Sequence, residues 1–476
     1  MADQYLRCDD YLVLKPRNGG LRDLLQLLYS SNISENKYIE SPEGATLEGA
    51  KRRWYLFVSV LLQKFILFIR KPMFWFGLSA EFFLNLVPEN QNLATLLSNI
   101  VRGKLKIPDQ KSPTFRSFAG HVDQRFELDK KIKYGDGRYL AALTVMASKL
   151  AYENESLIKQ TVNQHWKMEF IKFFDCWDDY RGALSTQAFM FCDNPDEPNL
   201  IVVAFRGTEP FDATAWCTDL DFSWYELPEC GKVHGGFVKA LGLLQRQGDW
   251  PKEEEEDDGD DQHRPPRTYA YFAVKEKLEE VLGRSREGAR FVVTGHSLGG
   301  ALAVLFPAIL AVQGEEGLLG RMGGVYTFGQ PRVGDEKFGE FVMERCFKGG
   351  STGEYCRYVY CNDIVPRLPY DDKTLLFKHF GTCLYFDSYY NGQIVKEEPN
   401  KNYFALWSLL PRHINAVWEL IRSFIIGYRR GSDYREGWFL TFLRLFGLIV
   451  PGLLDHNPQD YVNLTRIGTM KALKID

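Results

Sequence analysis

Hydrophobic and polar positions change character three times along the 476 residues. Residues 1–50 are polar and turn-rich, with little periodicity. Residues 51–90 are densely apolar and aromatic, and their spacing predicts helix. Residues 91–134 read as a linker. From residue 135 the chain alternates helical patterns with short β-branched runs, which predicts an α/β class with a mostly parallel sheet flanked by helices. A helix is expected from Arg138 to Tyr152, and strands at Ala188–Phe191, Leu200–Phe205, Phe291–Thr294, Val325–Phe328 and Tyr358–Tyr360. This fourth part is expected to run from 135 to 466, followed by a tail at 467–476. Within it, residues 253–267 read as an acidic disordered loop. Residues 404–454 read as a helical insertion whose tryptophans and leucines are expected to be mostly buried, with an acyl tunnel or a lipid surface as the other possibilities.

The stretch from Trp54 to Val87 needs separate weighing. Gln63-Lys64 interrupts its first half and Glu81 its second, with Pro72 between them. Neither half reaches the roughly 18 uninterrupted apolar residues of a bilayer span. Lys51, Arg52, Arg53, Arg70 and Lys71 flank aromatics, which suits a helix pair lying shallowly in a lipid interface. A core helix pair is the alternative. The N-terminus shows no signal-peptide h-region. Together these features point to the cytosolic face of a lipid-droplet monolayer or membrane, with peripheral or monotopic attachment.

Composition narrows the field further. A formal net charge of -4 without a basic stripe excludes nucleic acid as a partner. Nine cysteines, an odd number lacking C-x-x-C pairs, are expected to be reduced thiols. Oligomeric state is not legible.

Candidate chemistry concentrates at Phe291-Val-Val-Thr-Gly295-His296-Ser297-Leu298-Gly299-Gly300. A β-branched run delivers a serine between two glycines, and a small-residue helix pattern follows. That is the strand–turn–helix context of a nucleophile elbow. The tight turn needs glycine at 295 and 299, and it aims the Leu298 N–H at a developing oxyanion. His296 is expected to point away from Ser297.

An elbow of this kind takes its acid and then its histidine from later in the chain. Asp363 fits the acid, because the run Arg357-Tyr-Val-Tyr leads directly into it and Pro366 ends regular structure. Asp371 and Asp372 read as solvated turn charges. His121, His165, His234, His263 and His296 precede or adjoin the serine, leaving His379, His413 and His456. His456, in a loop after an apolar run, is the first choice and His379 the second.

Four blocks occur in order: Phe205-Arg206-Gly207-Thr208, the elbow, Thr327-Phe328-Gly329-Gln330-Pro331-Arg332-Val333-Gly334, and Asn362-Asp363-Ile364-Val365-Pro366. Together they resemble the class 3 lipase family, from about residue 135 to 466. The apolar N-terminal segment and the insertion before His456 are more similar to the plant oil-body triacylglycerol lipases of that family. The resemblance implies an α/β-hydrolase fold and Ser297, Asp363 and His456 as nucleophile, acid and base. It also implies Thr208 and Leu298 as oxyanion-hole residues and Glu209–Trp224 as a lid. Arg206 is expected in a structural ion pair. The implied substrate is triacylglycerol, with di- and monoacylglycerol after it, and the mechanism needs no metal or cofactor. Phospholipase A1 or galactolipase activity is the alternative. A noncatalytic lipase-fold signalling protein fits less well, since a scaffold has no need of a strained elbow.

Overall fold

The strands assemble into a nine-stranded sheet and a small four-stranded one. In chain order the strands are β1 (Tyr11–Leu14), β2 (Ile39–Glu40), β3 (Glu169–Asp178), β4 (Ala183–Cys192), β5 (Leu200–Phe205), β6 (Trp224–Leu227) and β7 (Gly231–His234). They continue with β8 (Arg290–His296), β9 (Met322–Phe328), β10 (Glu354–Tyr360), β11 (Thr382–Phe386), β12 (Asn391–Val395) and β13 (Thr469–Met470). This computed structural model describes residues 8, 10–243, 267–347, 353–369, 371, 376–401 and 409–470. The expected acidic loop up to residue 266, Asp372, Trp407 and the last six residues of the tail lie outside the described residues.

The large sheet has the order β13-β12-β11-β10-β9-β8-β5-β4-β3. It is parallel from β5 through β8, β9 and β10 to β11, with antiparallel pairings at β4 and β12. Parallel strands are covered on both faces, so they read as unbroken apolar runs. All six residues of β5 are buried. Register sets Phe205 opposite Gly295, and His296 opposite Phe328, so β5, β8 and β9 finish along one edge. In an open α/β sheet that edge is where ligands bind. The expected α/β-hydrolase class is borne out.

Among the described residues, the helices that matter below are α1 (Ala50–Phe68), α2 (Arg70–Glu89), α3 (Phe118–Val122), α4 (Tyr139–Leu150), α5 (Ala213–Asp219), α6 (Leu298–Val312), α7 (Leu409–Arg430), α8 (Trp438–Gly447) and α9 (Pro458–Ile467). The apolar segment is thus a helix pair, broken at Ile69 rather than at Pro72. Pro72 occupies the first turn of α2, where a missing N–H leaves no helical bond unmade. Among the described residues, no helix is long and apolar enough to cross a membrane.

Residues 1–50 are more ordered than their polarity implies. They supply β1 and β2 to a small sheet of order β2-β1-β6-β7. Leu12, Leu24, Tyr38 and Ile39 there enclose a satellite core with Leu56 and Val60 of α1. The expected linker also contains structure, including α3. All nine cysteines are free thiols, and only Cys356 is not fully buried.

Two readings of single regions are corrected. Asp371 is buried and ion-paired with Lys378 and Lys401 rather than solvated. The insertion helices α7 and α8 are also not packed apolar side in. Arg412, Glu419 and Arg422 of α7 and Arg444 of α8 are buried, while Ile421, Phe424, Phe442 and Phe446 are exposed. A guanidinium cluster holds the inner face together. Arg422 pairs with Asp460 at 2.7 Å, and Arg444 with Glu436 at 2.6 Å and Asp460 at 3.2 Å.

Candidate active site

Ser297 sits between β8 and α6 with φ 59° and ψ -132°, a backbone conformation a side chain adopts only under constraint. Neighbouring segments supply that constraint. A Cβ on Gly295 would lie 2.1 Å from the Gly299 backbone, and one on Gly299 would lie 2.2 Å from the Phe205 carbonyl. Glycine is therefore obligatory at both flanks of the serine. The Ser297 N–H donates to the Phe328 carbonyl at 2.9 Å, tying the elbow to the end of β9.

The next residue, Gly329, faces the other two chain segments of the site. A Cβ there would meet Asp363 Oδ2 at 2.8 Å and His456 Nδ1 at 2.9 Å. Asp363 follows β10, is fully buried, and accepts from the Val365 N–H at 2.9 Å. His456 Nδ1 lies 2.8 Å from Asp363 Oδ2, so the ring donates from Nδ1 to the carboxylate. Its Nε2 has no hydrogen-bond partner among the described residues. Gly207 lies on the other side of the elbow. A Cβ on it would come 3.0 Å from that of Ser297, which sets buried Thr208 beside the serine. Leu298, also buried, opens α6. The structure thus brings Ser297, Asp363, His456, Thr208 and Leu298 to one edge of the sheet.

The class 3 lipase family profile matches residues 202–373. Across its length the chain is 41% identical to the Nicotiana tabacum protein named triacylglycerol lipase OBL1, covering 98% of this chain and 96% of the relative. It is 43% identical to the Arabidopsis thaliana protein of the same name, with the same coverage. The chain belongs to the class 3 lipase family. A lipase of Rhizomucor miehei is 34% identical over 37% of this chain and 39% of its own.

The other late histidines of this class 3 lipase are engaged elsewhere. His379 Nε2 contacts the Pro366 carbonyl at 2.6 Å, and His413 Nδ1 the Leu409 carbonyl of its own helix at 2.8 Å. His296 is held by two neighbours. Its ring packs against that of His456, centroids 4.4 Å apart, and its Nδ1 meets the Tyr152 hydroxyl at 2.8 Å. Burial, reinforced by His456, holds His296 well below the usual imidazole range, so it is neutral.

Two further features of this family member carried no sequence signal. Tyr461 of α9 donates its hydroxyl to Asp363 Oδ2 at 2.5 Å, giving that oxygen a second donor beside His456. Burial and Asp363 push the Tyr461 phenol far up, which keeps it a donor. Asp455, next to the histidine, accepts from the Asn362 N–H at 2.8 Å and faces Glu419 of α7. Burial and Glu419 raise the Asp455 carboxyl well above the carboxylate range. Cys361, Glu419 and Asp455 cluster within 4.8 Å, with the Arg444 guanidinium 3.6 Å from Glu419 supplying the positive charge there.

The stretch 209–224 contains α5, N-capped by Asp212, which also pairs with Arg181. Arg206 makes an ion pair with Glu209 at 2.6 Å. The α1–α2 pair grips this stretch from outside. Ser59 Oγ donates to the Leu220 carbonyl at 2.7 Å, and Phe211 sits edge-on to Phe76 at 5.3 Å and Phe118 at 4.9 Å. Burial raises the Glu81 carboxyl to about 7, although it accepts from the Phe118 N–H at 2.8 Å.

Proposed function

We propose that this chain is a serine lipase that hydrolyses triacylglycerol, and then di- and monoacylglycerol, at the surface of lipid droplets. One observation carries the reading. A strained serine and an Asp363–His456 pair with a buried carboxylate lie at one sheet edge, in a chain related over nearly its whole length to proteins named triacylglycerol lipase.

The roles follow from atom types. His456 Nε2 takes the Ser297 proton as Oγ attacks the ester carbonyl, while Asp363 fixes the ring through Nδ1 and stabilises its cationic form. The carbonyl π pair moves onto oxygen, which the N–H groups of Thr208 and Leu298 and the Thr208 hydroxyl receive. Loss of one such donor costs about 3–4 kcal/mol of barrier. Collapse expels the glycerol oxygen, which takes the proton from His456. Water then attacks the acyl-enzyme by the same route, releasing the fatty acid and restoring Ser297.

Attachment to the droplet is assigned to the outer face of α1 and α2, where Trp54, Phe65, Phe68, Phe74, Trp75 and Phe83 are exposed. Their inner faces hold the lid stretch and the satellite core, so substitution tests docking better than deletion. In Phe74→Ser/Trp75→Ser the fluorescent fusion should shift from droplets toward the cytosol.

Purified Ser297→Ala should release no fatty acid from emulsified triolein while unfolding at the wild-type temperature, and His456→Ala should match it. Thr208→Val should lower kcat by about 10²-fold. Wild-type hydrolysis by Ser297→Ala overturns the mechanism. Faster cleavage of phosphatidylcholine or galactolipid than of triolein, assayed in parallel, reassigns the substrate.

A further inference from the structure

Helix α7 is amphipathic in the reverse sense. Leu410, Ile414, Val417, Ile421, Phe424 and Tyr428 recur at three- and four-residue spacing, forming one stripe. They are between 47% and 91% exposed. No charged residue of α7 is exposed before Arg429 and Arg430 at its end. Its charges face inward, where Arg422 meets Asp460 and Glu419 accepts from the Tyr360 hydroxyl at 2.8 Å. Helix α8 repeats the arrangement, with Trp438, Phe442, Leu445 and Phe446 outward and Arg444 inward. The exposed apolar tract continues through Ile449, Val450 and Leu453, ending three residues before His456.

Such a face needs an occupant that asks for no hydrogen bonds. A protein partner brings a polar rim and a set of directional bonds, for which the α7 stripe offers only the Tyr428 hydroxyl at its end. Hydrocarbon brings none. The charges that are exposed fit the same occupant. Arg429, Arg430 and Arg435 are exposed where the stripe ends, near Tyr428 and Trp438 in sequence, and outnumber the one exposed carboxylate among them, Asp433. Basic and aromatic side chains at the margin of an apolar face lie at headgroup level in an interfacial helix. The tract also joins the lid region, since Phe118 contacts Phe439 of α8 at 5.1 Å and Phe211 at 4.9 Å.

We propose that α7 and α8 are a docking surface for the anionic phospholipid monolayer of a lipid droplet, set in the monolayer plane so that the histidine loop lies directly on it. The inference rests on the lipid-surface reading above and adds a second contact, linked to the lid stretch through Phe118. It also accounts for the buried guanidinium cluster, which lets the helices attach to the hydrolase by their polar faces and leaves the apolar ones free.

Flotation of the full chain with triolein droplets coated in phosphatidylcholine, with and without phosphatidylserine, tests this. Ile421→Glu/Phe424→Glu should lower the droplet-bound fraction at least tenfold while hydrolysis of a dissolved short-chain ester is unchanged. Arg429→Glu/Arg430→Glu should abolish only the extra binding that phosphatidylserine confers. If the first variant loses ester activity, Ile414→Ser/Ile421→Ser removes apolar area without adding charge and carries the same test. Wild-type flotation of these variants overturns the inference. So does a wild-type dimer that the glutamates split without altering flotation, which would assign the stripe to a second copy of the chain. A wild-type chain that floats through this surface but does not cleave triolein would refute the substrate reading and leave the docking surface standing.

Discussion

Helices α6 and α7 are both rich in leucine, isoleucine and valine, yet they face the solvent in opposite ways. In α6, Leu298 through Ala311 are all buried, and the helix runs through the main core beneath the sheet. In α7 the aliphatic residues face out, and Arg412, Glu419 and Arg422 face in. Apolar content therefore says that a helix has an apolar face but not what the face meets. Direction is set by the neighbours. The nucleophile helix is surrounded by aliphatic strands and helices, whereas α7 leans on Tyr360, Asp455 and Asp460, which accept or donate hydrogen bonds.

The contrast is most easily broken by adding one charge to each helix. Leu305→Glu in α6 should prevent folding and give insoluble protein, because an unpaired carboxylate would be buried without partners. Ile421→Glu in α7 should be soluble, with stability within about 0.5 kcal/mol of wild type by urea denaturation. Comparable damage from both would mean that the outer face of α7 is packed after all.

Next in size is the inner face. Arg422→Met leaves Asp460 with a buried, partly compensated charge and should cost about 3–5 kcal/mol, read as a lower urea midpoint. A loss below 1 kcal/mol would show that Arg444 alone satisfies Asp460. Tyr461→Phe is a smaller change closer to the chemistry. It removes the second donor on Asp363 and should lower kcat about tenfold, or about 1.4 kcal/mol, with KM unchanged. A changed KM with kcat intact would make Tyr461 a packing residue only.

A separate effect concerns Glu81, where the outer helices meet the 209–224 stretch. Its carboxyl ionises near pH 7 in the folded chain and near 4.5 unfolded. Between these values the unfolded state binds fewer protons, so this group lowers stability as pH rises and its penalty is complete above about 7. Glu81→Gln should therefore flatten the decline in unfolding temperature from pH 5 to 7.5. An unchanged slope would leave the decline to other buried acids.

What the sequence made legible was mostly local or ordered along the chain. The elbow could be read because two glycines, a strand and a helix start occupy ten consecutive residues. Asp363 could be read because β10 runs into it, and His456 because chain order left few candidates. Tyr461 carried no signal, since its partner lies 98 positions away and a lone tyrosine in a helix is usually core. The inversion of α7 was hidden for a similar reason. Periodicity fixes a stripe, but the groups that decide which face turns inward come from β10 and the histidine loop. Residues 1–50 looked loose because their apolar residues fall in short runs broken by glycine, proline, asparagine and serine, and the satellite core is completed by α1 from another part of the chain.

The two imidazoles packed at 4.4 Å have a consequence for proton counting. Two unit charges at that distance repel by about 4 kcal/mol even at an effective dielectric near 20. Burial already keeps His296 uncharged, so the pair carries one positive charge at most. The proposed base thus shares its niche with a neighbour that does not compete for the proton.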